Sequence, residues 1–302
     1  MDVRVVVVVG LVVVGASALA ACGTGGTPSR TFLFTHLEIG TPLEPSAGGR
    51  ARSPGVEMDG VDTVVADSTS VICADRALDY VSEDDPPLQG VDNALGAVAR
   101  GGGTPWPTPE PEGSVRDLVA SGVFMAGIEL GGVDSLVDDP HVEVRLVRLV
   151  VADCDAGEPT CSPHIDNAAM LAEQRFTQSE LAMGEGSIVD GRLIARLPEW
   201  SVPIEALSAV APAGTRVRLD DVRLSAVLDE GNMVDGSLGA ALAVDEALRV
   251  VVTADPTVHV EEIRGALEAF ADLGNLPDEA GCTHISGGYR FAAVAVRIMG
   301  TL

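Results

Sequence analysis

The sequence predicts a mainly β protein: an antiparallel β-sandwich with one or two short helices and one helix in the C-terminal region. Three observations lead there. The stretch HVEVRLVRLVV (His141 to Val151) alternates apolar and polar residues with period two, as a half-buried strand requires. The pattern G-x-[I/M]-V-D-G-x-L-x-A-x-L occurs twice, from Gly186 and from Gly231. Asp-Gly is a favoured two-residue hairpin turn, because both central positions of a type I′ turn need positive φ. Clusters of Gly and Pro punctuate the chain between apolar runs.

Composition sets the limits. With 302 residues, 46% of them hydrophobic but only 3% aromatic, the core must be built from Val, Leu, Ile and Ala. There is no lysine; all 19 basic residues are Arg, and the formal charge is −26. Such a surface repels nucleic-acid phosphates, so no nucleic-acid partner is expected, and it suits divalent cations or basic partners.

Residues 1–21 read as a signal segment. Val5 to Val14 is apolar apart from Gly10, too short for an ordinary spanning helix and soon followed by small residues. It ends in Leu19-Ala20-Ala21-Cys22. This resembles the lipobox of bacterial lipoproteins: an aliphatic residue, two small ones, then Cys. The resemblance implies cleavage before Cys22, a diacylglyceryl thioether on its sulfur and N-acylation. It thus implies an exported protein held to the cell envelope by lipid, with the membrane as partner through Cys22. Gly23, rather than Asp, follows the Cys, and by the same analogy this points to the outer membrane.

Residues 22–55, rich in Gly, Pro, Ser and Thr, read as a flexible tether. TFLFTHLEI (Thr31 to Ile39) is the exception and is able to dock as a strand. Residues 56–302 read as a single mainly-β domain with a Gly/Pro loop at 101–113. After Cys22, four cysteines remain, and an even number in an exported chain suggests two disulfides. Cys154 and Cys161 flank a short loop and are expected to pair locally, leaving Cys73 with Cys282. The alternative, a metal site from Cys154, Cys161 and His164, matches no standard zinc spacing.

The remaining elements follow in order. Asp92 or Asn93 caps a short helix carrying Val91, Leu95 and Val98. Ser114-x-x-Asp117 resembles a capping box. Val123 to Leu130 is a strand, as is His141 to Val151. The first Val-Asp-Gly is a hairpin turn. Arg216 to Leu228 is a strand whose apolar face shifts at Asp220-Asp221, marking a turn or bulge. The second Val-Asp-Gly is again a turn. Asp255 caps and Pro256 opens a helix through Val260, Ile263, Leu267 and Phe270, stopped by Gly274. Ser286-Gly287-Gly288 turns into a last strand from Tyr289 to Ile298.

No G-x-S-x-G elbow, H-E-x-x-H, P-loop or full EF-hand loop is present. The histidines are scattered. Carboxylate pairs such as Asp138-Asp139, Asp220-Asp221 and Glu261-Glu262 are adjacent in sequence, which is not the facing geometry a glycosidase needs. The best ligand candidate is Ser82 to Asn93, where Glu83, Asp84, Asp85, Asp92 and Asn93 offer the oxygen ligands calcium takes. The Val-Asp-Gly aspartates with Glu185, Asp229 and Glu230 are a weaker cation option. Trp106 and Trp200 poorly supply a sugar-stacking platform. The segments Gly90-Val91-Asp92-Asn93, Cys282-x-x-Ile285-Ser286 and Phe291 to Ala295 are similar to uncharacterised acidic bacterial lipoproteins, which implies no activity. The expected function is a lipid-anchored envelope protein, a non-catalytic binding or structural module with no cofactor other than calcium and a protein or glycan partner. The alternatives are a hydrolase of envelope polysaccharide using paired carboxylates, or a subunit of a surface assembly docking through TFLFTHLEI.

Overall fold

The computed structural model describes residues 29–40, 42, 51–58, 73, 79–82, 89–96, 118, 122, 124–152, 163–165, 167–203, 215–229, 231–274 and 281–301. In chain order these form β1 (Arg30–Ile39), β2 (Asp79–Val81), β3 (Gln89–Asp92), β4 (Ala126–Gly131) and β5 (Asp139–Val151). Then come α1 (Ala168–Glu173), β6 (Arg175–Val189), β7 (Arg192–Pro203), β8 (Arg216–Asp229) and β9 (Asn232–Ala243). The chain ends with α2 (Val244–Ala254), α3 (Val260–Phe270), β10 (Leu273–Gly274) and β11 (Cys282–Thr301).

The mainly-β expectation holds, but the sandwich does not. The strands run in the order β1-β4-β5-β6-β7-β8-β9-β11, and β11 pairs back onto β1 from Thr31↔Val296 to Ile39↔Tyr289. The sheet therefore closes into an eight-stranded antiparallel barrel. Sandwich and barrel share the same alternation along each strand. They differ in whether the first and last strands meet, a pairing between opposite ends of the chain that no local pattern encodes. TFLFTHLEI, the exception within the stretch read as tether, does dock as a strand, and as a stave of the barrel: Phe32, Leu33 and Phe34 are all fully buried.

Inward positions make one large core. Phe32 and Phe34 of β1, Ile128 and Leu130 of β4, and Val144 and Leu146 of β5 meet Leu193 and Leu197 of β7 and Leu224 of β8. The ring of Phe34 stands edge-on to that of Phe291, centroids 5.3 Å apart, the favoured aromatic arrangement. Val244, Ala247 and Leu248 of α2 and Leu267 of α3 join the same core, so the helix pair packs against the barrel. Each fully buried Leu or Phe contributes about 1.5–3 kcal/mol over an exposed one.

A second, smaller core lies on the opposite face of the β1–β5 wall: Leu33, Val147, Leu149, Val151, Leu171 and Phe176. It exists because β6 and β11 change neighbours along their length. The last residues of β11 run parallel to the first of β6, from Arg297↔Arg175 to Thr301↔Gln178. The extra residue that shifts β6 against β5 between Leu146 and Val147 helps this crossing.

The two Val-Asp-Gly copies do different jobs. Asp190 (φ 50°) and Gly191 (φ 75°) form the β6–β7 hairpin turn, as expected. The second copy is not a turn. Asp235 (φ 48°) is an extra residue inside β9, a bulge relative to both β8 and β11. The β8–β9 turn lies earlier, with Asp229 opposite Asn232 and Gly231 at φ 100°. Asp221 (φ 46°) is the bulge that the change of face in Arg216 to Leu228 suggested. Among the described residues, the three non-glycine residues with positive φ are all aspartates, whose short polar side chain tolerates that region. After each copy the period-two half behaves alike: Leu193, Ala195, Leu197 and Leu238, Ala240, Leu242 all face the core.

Two further expectations are corrected. Asp255 does not open the C-terminal helix; it closes α2, a helix the sequence reading passed over, and accepts from the Thr257 amide at 2.9 Å. The helix starts at Val260. Ser286-Gly287-Gly288 is not a turn but the interior of β11, where a Cβ on Gly288 would lie 2.3 Å from the Pro54 carbonyl oxygen. Glycine is needed there because another segment crosses the strand closely.

Candidate functional site

The barrel interior is filled, as small eight-stranded barrels commonly are. The candidate site lies outside it. On the outer face of β5, β6, β7 and β8, a groove of about 1040 Å³ is bordered by Val56 and Glu57. Outward side chains lining the groove are mostly charged or hydroxyl-bearing, with Ile194 among them, while farther along β5 the outward Val147, Leu149 and Val151 belong to the second core.

The register writes the groove floor as a row. Glu143 of β5 is opposite Glu185 of β6, Glu185 opposite Arg196 of β7, and Arg196 opposite Arg223 of β8. The next row is Ser187, Ile194 and Ser225. Ile194 is 52% exposed, so the groove has an apolar floor. Arg192 donates to Ser225 Oγ at 3.1 Å.

The charges are segregated. On the β7–β8 side, Asp221 uses one oxygen for Arg196 Nε at 2.5 Å and the other for Arg223 Nη2 at 2.8 Å. The positive φ of the Asp221 bulge aims this carboxylate between the two guanidiniums. Arg223 also donates to the Glu57 carbonyl at 2.8 Å. On the β5–β6 side, Arg145 serves three carboxylates: Glu129 at 3.1 Å, Glu143, and Glu180 at 3.5 Å. Burial acts to lower the Arg145 guanidinium, but the hydrogen bonds and charges of Glu129 and Glu143 hold it above its ordinary range. Glu185 makes no ion pair among the described residues, although Arg196 sits directly opposite.

The residues singled out from sequence fall elsewhere. Asp92 and Asn93 are buried and engaged by the protein itself. Asp92 Oδ2 accepts from the Met58 amide at 2.5 Å. Asn93 Nδ2 donates to the Gly40 carbonyl and to Ser53 Oγ, both at 2.7 Å. Its Oδ1 accepts from the amides of Gly96 and Gly288, both at 2.9 Å, so it does cap the short turn that follows it. Glu83, Asp84 and Asp85 lie outside the described residues. Among the described residues no three His, Cys, Asp or Glu side chains converge on a metal-sized site. Cys73 and Cys282 are disulfide-bonded, Cα atoms 5.8 Å apart; Cys22, Cys154 and Cys161 lie outside the described residues, as does Trp106. Trp200 is a core residue, 3% exposed, and offers no sugar platform.

The carboxylate pairs are split. Asp139 accepts from the amides of Asp134 and His141, while Asp138 accepts from Asp190, which ties that loop to the hairpin tip. Asp220 turns to Arg218 and Asp221 to the groove. His141 lines the groove, and His284 is buried beside Thr283. Sequence reasoning named Glu185 but missed Arg192, Arg196 and Arg223. Their outward strand positions were legible; the register that aligns them was not.

No protein-family model matches this chain, and neither does any curated protein or any solved structure.

Proposed function

We propose that this chain is an exported, lipid-anchored binding module of the bacterial cell envelope, and that it takes its ligand in the outer groove. The observation that carries the binding site is the contrast between a packed interior and an open outer groove whose charged row lies beside the exposed Ile194. The anchor rests on Leu19-Ala20-Ala21-Cys22. TFLFTHLEI is paired with β11 from Thr31 to Ile39 and with β4 from Thr31 to Leu33, which leaves less open edge for a surface-assembly route through that segment. The test of the anchor is labelling of the full chain in cells with a palmitate analogue. Label should reach the wild type and not Cys22→Ser, which should leave the membrane fraction. Equal labelling of both would refute lipidation at Cys22.

The hydrolase reading keeps one specific observation. Glu143 and Glu185 are register partners in the groove, with Cβ atoms expected about 4.5–5.5 Å apart. Side chains rooted that closely are able to bring their carboxyl groups to the separation retaining glycosidases use. Release of reducing ends from envelope polysaccharide, abolished in Glu143→Gln and Glu185→Gln, would establish it.

A further inference from the structure

The row Glu143–Glu185–Arg196–Arg223 is an unfavourable way to write a sheet surface. Like charges directly opposite each other destabilise a pair, and opposite charges stabilise it. An order alternating acid and base would satisfy every neighbour. Here both acids lie at one end and both bases at the other. Each end is tended from outside the row, Glu143 by Arg145 and the two arginines by Asp221. The middle is left open: Arg196 turns away from Glu185 toward Asp221. The wall of β5 and β6 keeps an excess of carboxylates, and the wall of β7 and β8 an excess of guanidiniums.

We propose that the groove binds a short zwitterionic peptide, its ammonium group over Glu143 and Glu185 and its carboxylate over Arg196 and Arg223. This rests on the reading of the groove as the ligand site. Neighbouring strands are about 4.8 Å apart, so the two ends of the row are separated by about 5–14 Å depending on the pair chosen. An extended tripeptide spans about 10 Å between its termini. Ser187 and Ser225 flank Ile194 in the adjacent row, offering hydroxyls to a peptide backbone and an apolar floor to a small side chain. The ligand's dipole runs against that of the floor, so each end meets its complement.

The experiment is calorimetric titration of the full chain with trialanine, N-acetyl-trialanine, trialanine amide and the uncharged sugar chitotetraose. Wild type, Glu185→Gln and Ile194→Trp are compared. Trialanine should bind wild type, and blocking either terminus should weaken it at least tenfold. In Glu185→Gln, the advantage of trialanine over its N-acetyl form should shrink severalfold, a readout that mere destabilisation would not move. Blocked peptides that bind as well as free trialanine would overturn the zwitterion, as would no trialanine binding at all. Chitotetraose binding that Ile194→Trp abolishes, without trialanine binding, would overturn the zwitterion and keep the groove. Trialanine binding untouched by Ile194→Trp would overturn the groove itself.

Discussion

The amide of Gly288 donates to Asn93 Oδ1 at 2.9 Å, joining residues 195 positions apart. Asn93 thereby pins a covering segment, through Gly40, Ser53 and Gly96, to the outer wall of β11. The Ala94 amide adds a second link, donating to Ser286 Oγ, which itself donates to Asp272.

Replacing Asn93 by Ala should be among the most damaging single changes. It strands buried amides of Gly96 and Gly288, each costing about 1–3 kcal/mol when unpaired. A loss of about 3 kcal/mol or more is expected in denaturant unfolding. A loss below 1 kcal/mol would mean water replaces the side chain.

The Cys73–Cys282 bond closes a loop of 209 residues. In the chain-entropy description such a loop contributes about 5 kcal/mol. The Tm of wild type should fall by many degrees on reduction, while Cys73→Ser/Cys282→Ser should start low and fall much less. Matching Tm values for oxidised wild type and the double variant would remove the bond from the list of stabilising features.

Gly184 marks the place where β6 begins to leave β7. A Cβ there would stand 2.2 Å from the Arg196 carbonyl oxygen and 2.8 Å from Leu197 Cα. Gly184→Ala should cost more than about 2 kcal/mol, the range of overpacking. Gly300→Ala, with nothing within 4 Å, is the control and should be near neutral. Equal effects would show that the strands can separate freely.

Asp139 supplies a pH signature. The amides of Asp134 and His141 hold its carboxyl below the usual aspartate range. A depressed pKa stabilises the fold above the unfolded value, roughly 4, and that stability is lost as pH falls through the folded value. Wild type should therefore exceed Asp139→Asn in unfolding midpoint at pH 7, with the gap closing below about pH 4. A gap of constant size between pH 7 and pH 3 would show that ionisation is not what matters.

How much of this was readable in advance follows the range of each interaction. His141 to Val151 and Arg216 to Leu228 were legible as strands because period two is a property of neighbours. Asp190-Gly191 was legible as a turn for the same reason. The identical Val234-Asp235-Gly236 was misread because positive φ serves a bulge as well as a turn; which one forms depends on β8 and β11 alongside. Barrel closure depends on Thr31 meeting Val296. The groove depends on Glu185 lying between Glu143 and Arg196, and no spacing within one strand reveals its neighbour across the sheet. The Cys73–Cys282 pairing is the exception, a long-range contact reached by counting.

Arg30 opens a stave that is clamped on both sides, by β4 and by β11. With Cys22 as anchor, the stretch from Cys22 to Arg30 reaches no more than about 28 Å even when fully extended. The barrel would then ride on a short leash, not at the end of a long one. Arg30 lies opposite Leu130, and the neighbouring Gly131 lies opposite Glu143, so the leash and the acidic end of the groove belong to the same end of the wall. If Cys22 carries the proposed anchor, the acidic end of the groove therefore lies at the tethered end of the barrel and the basic end across the wall from it.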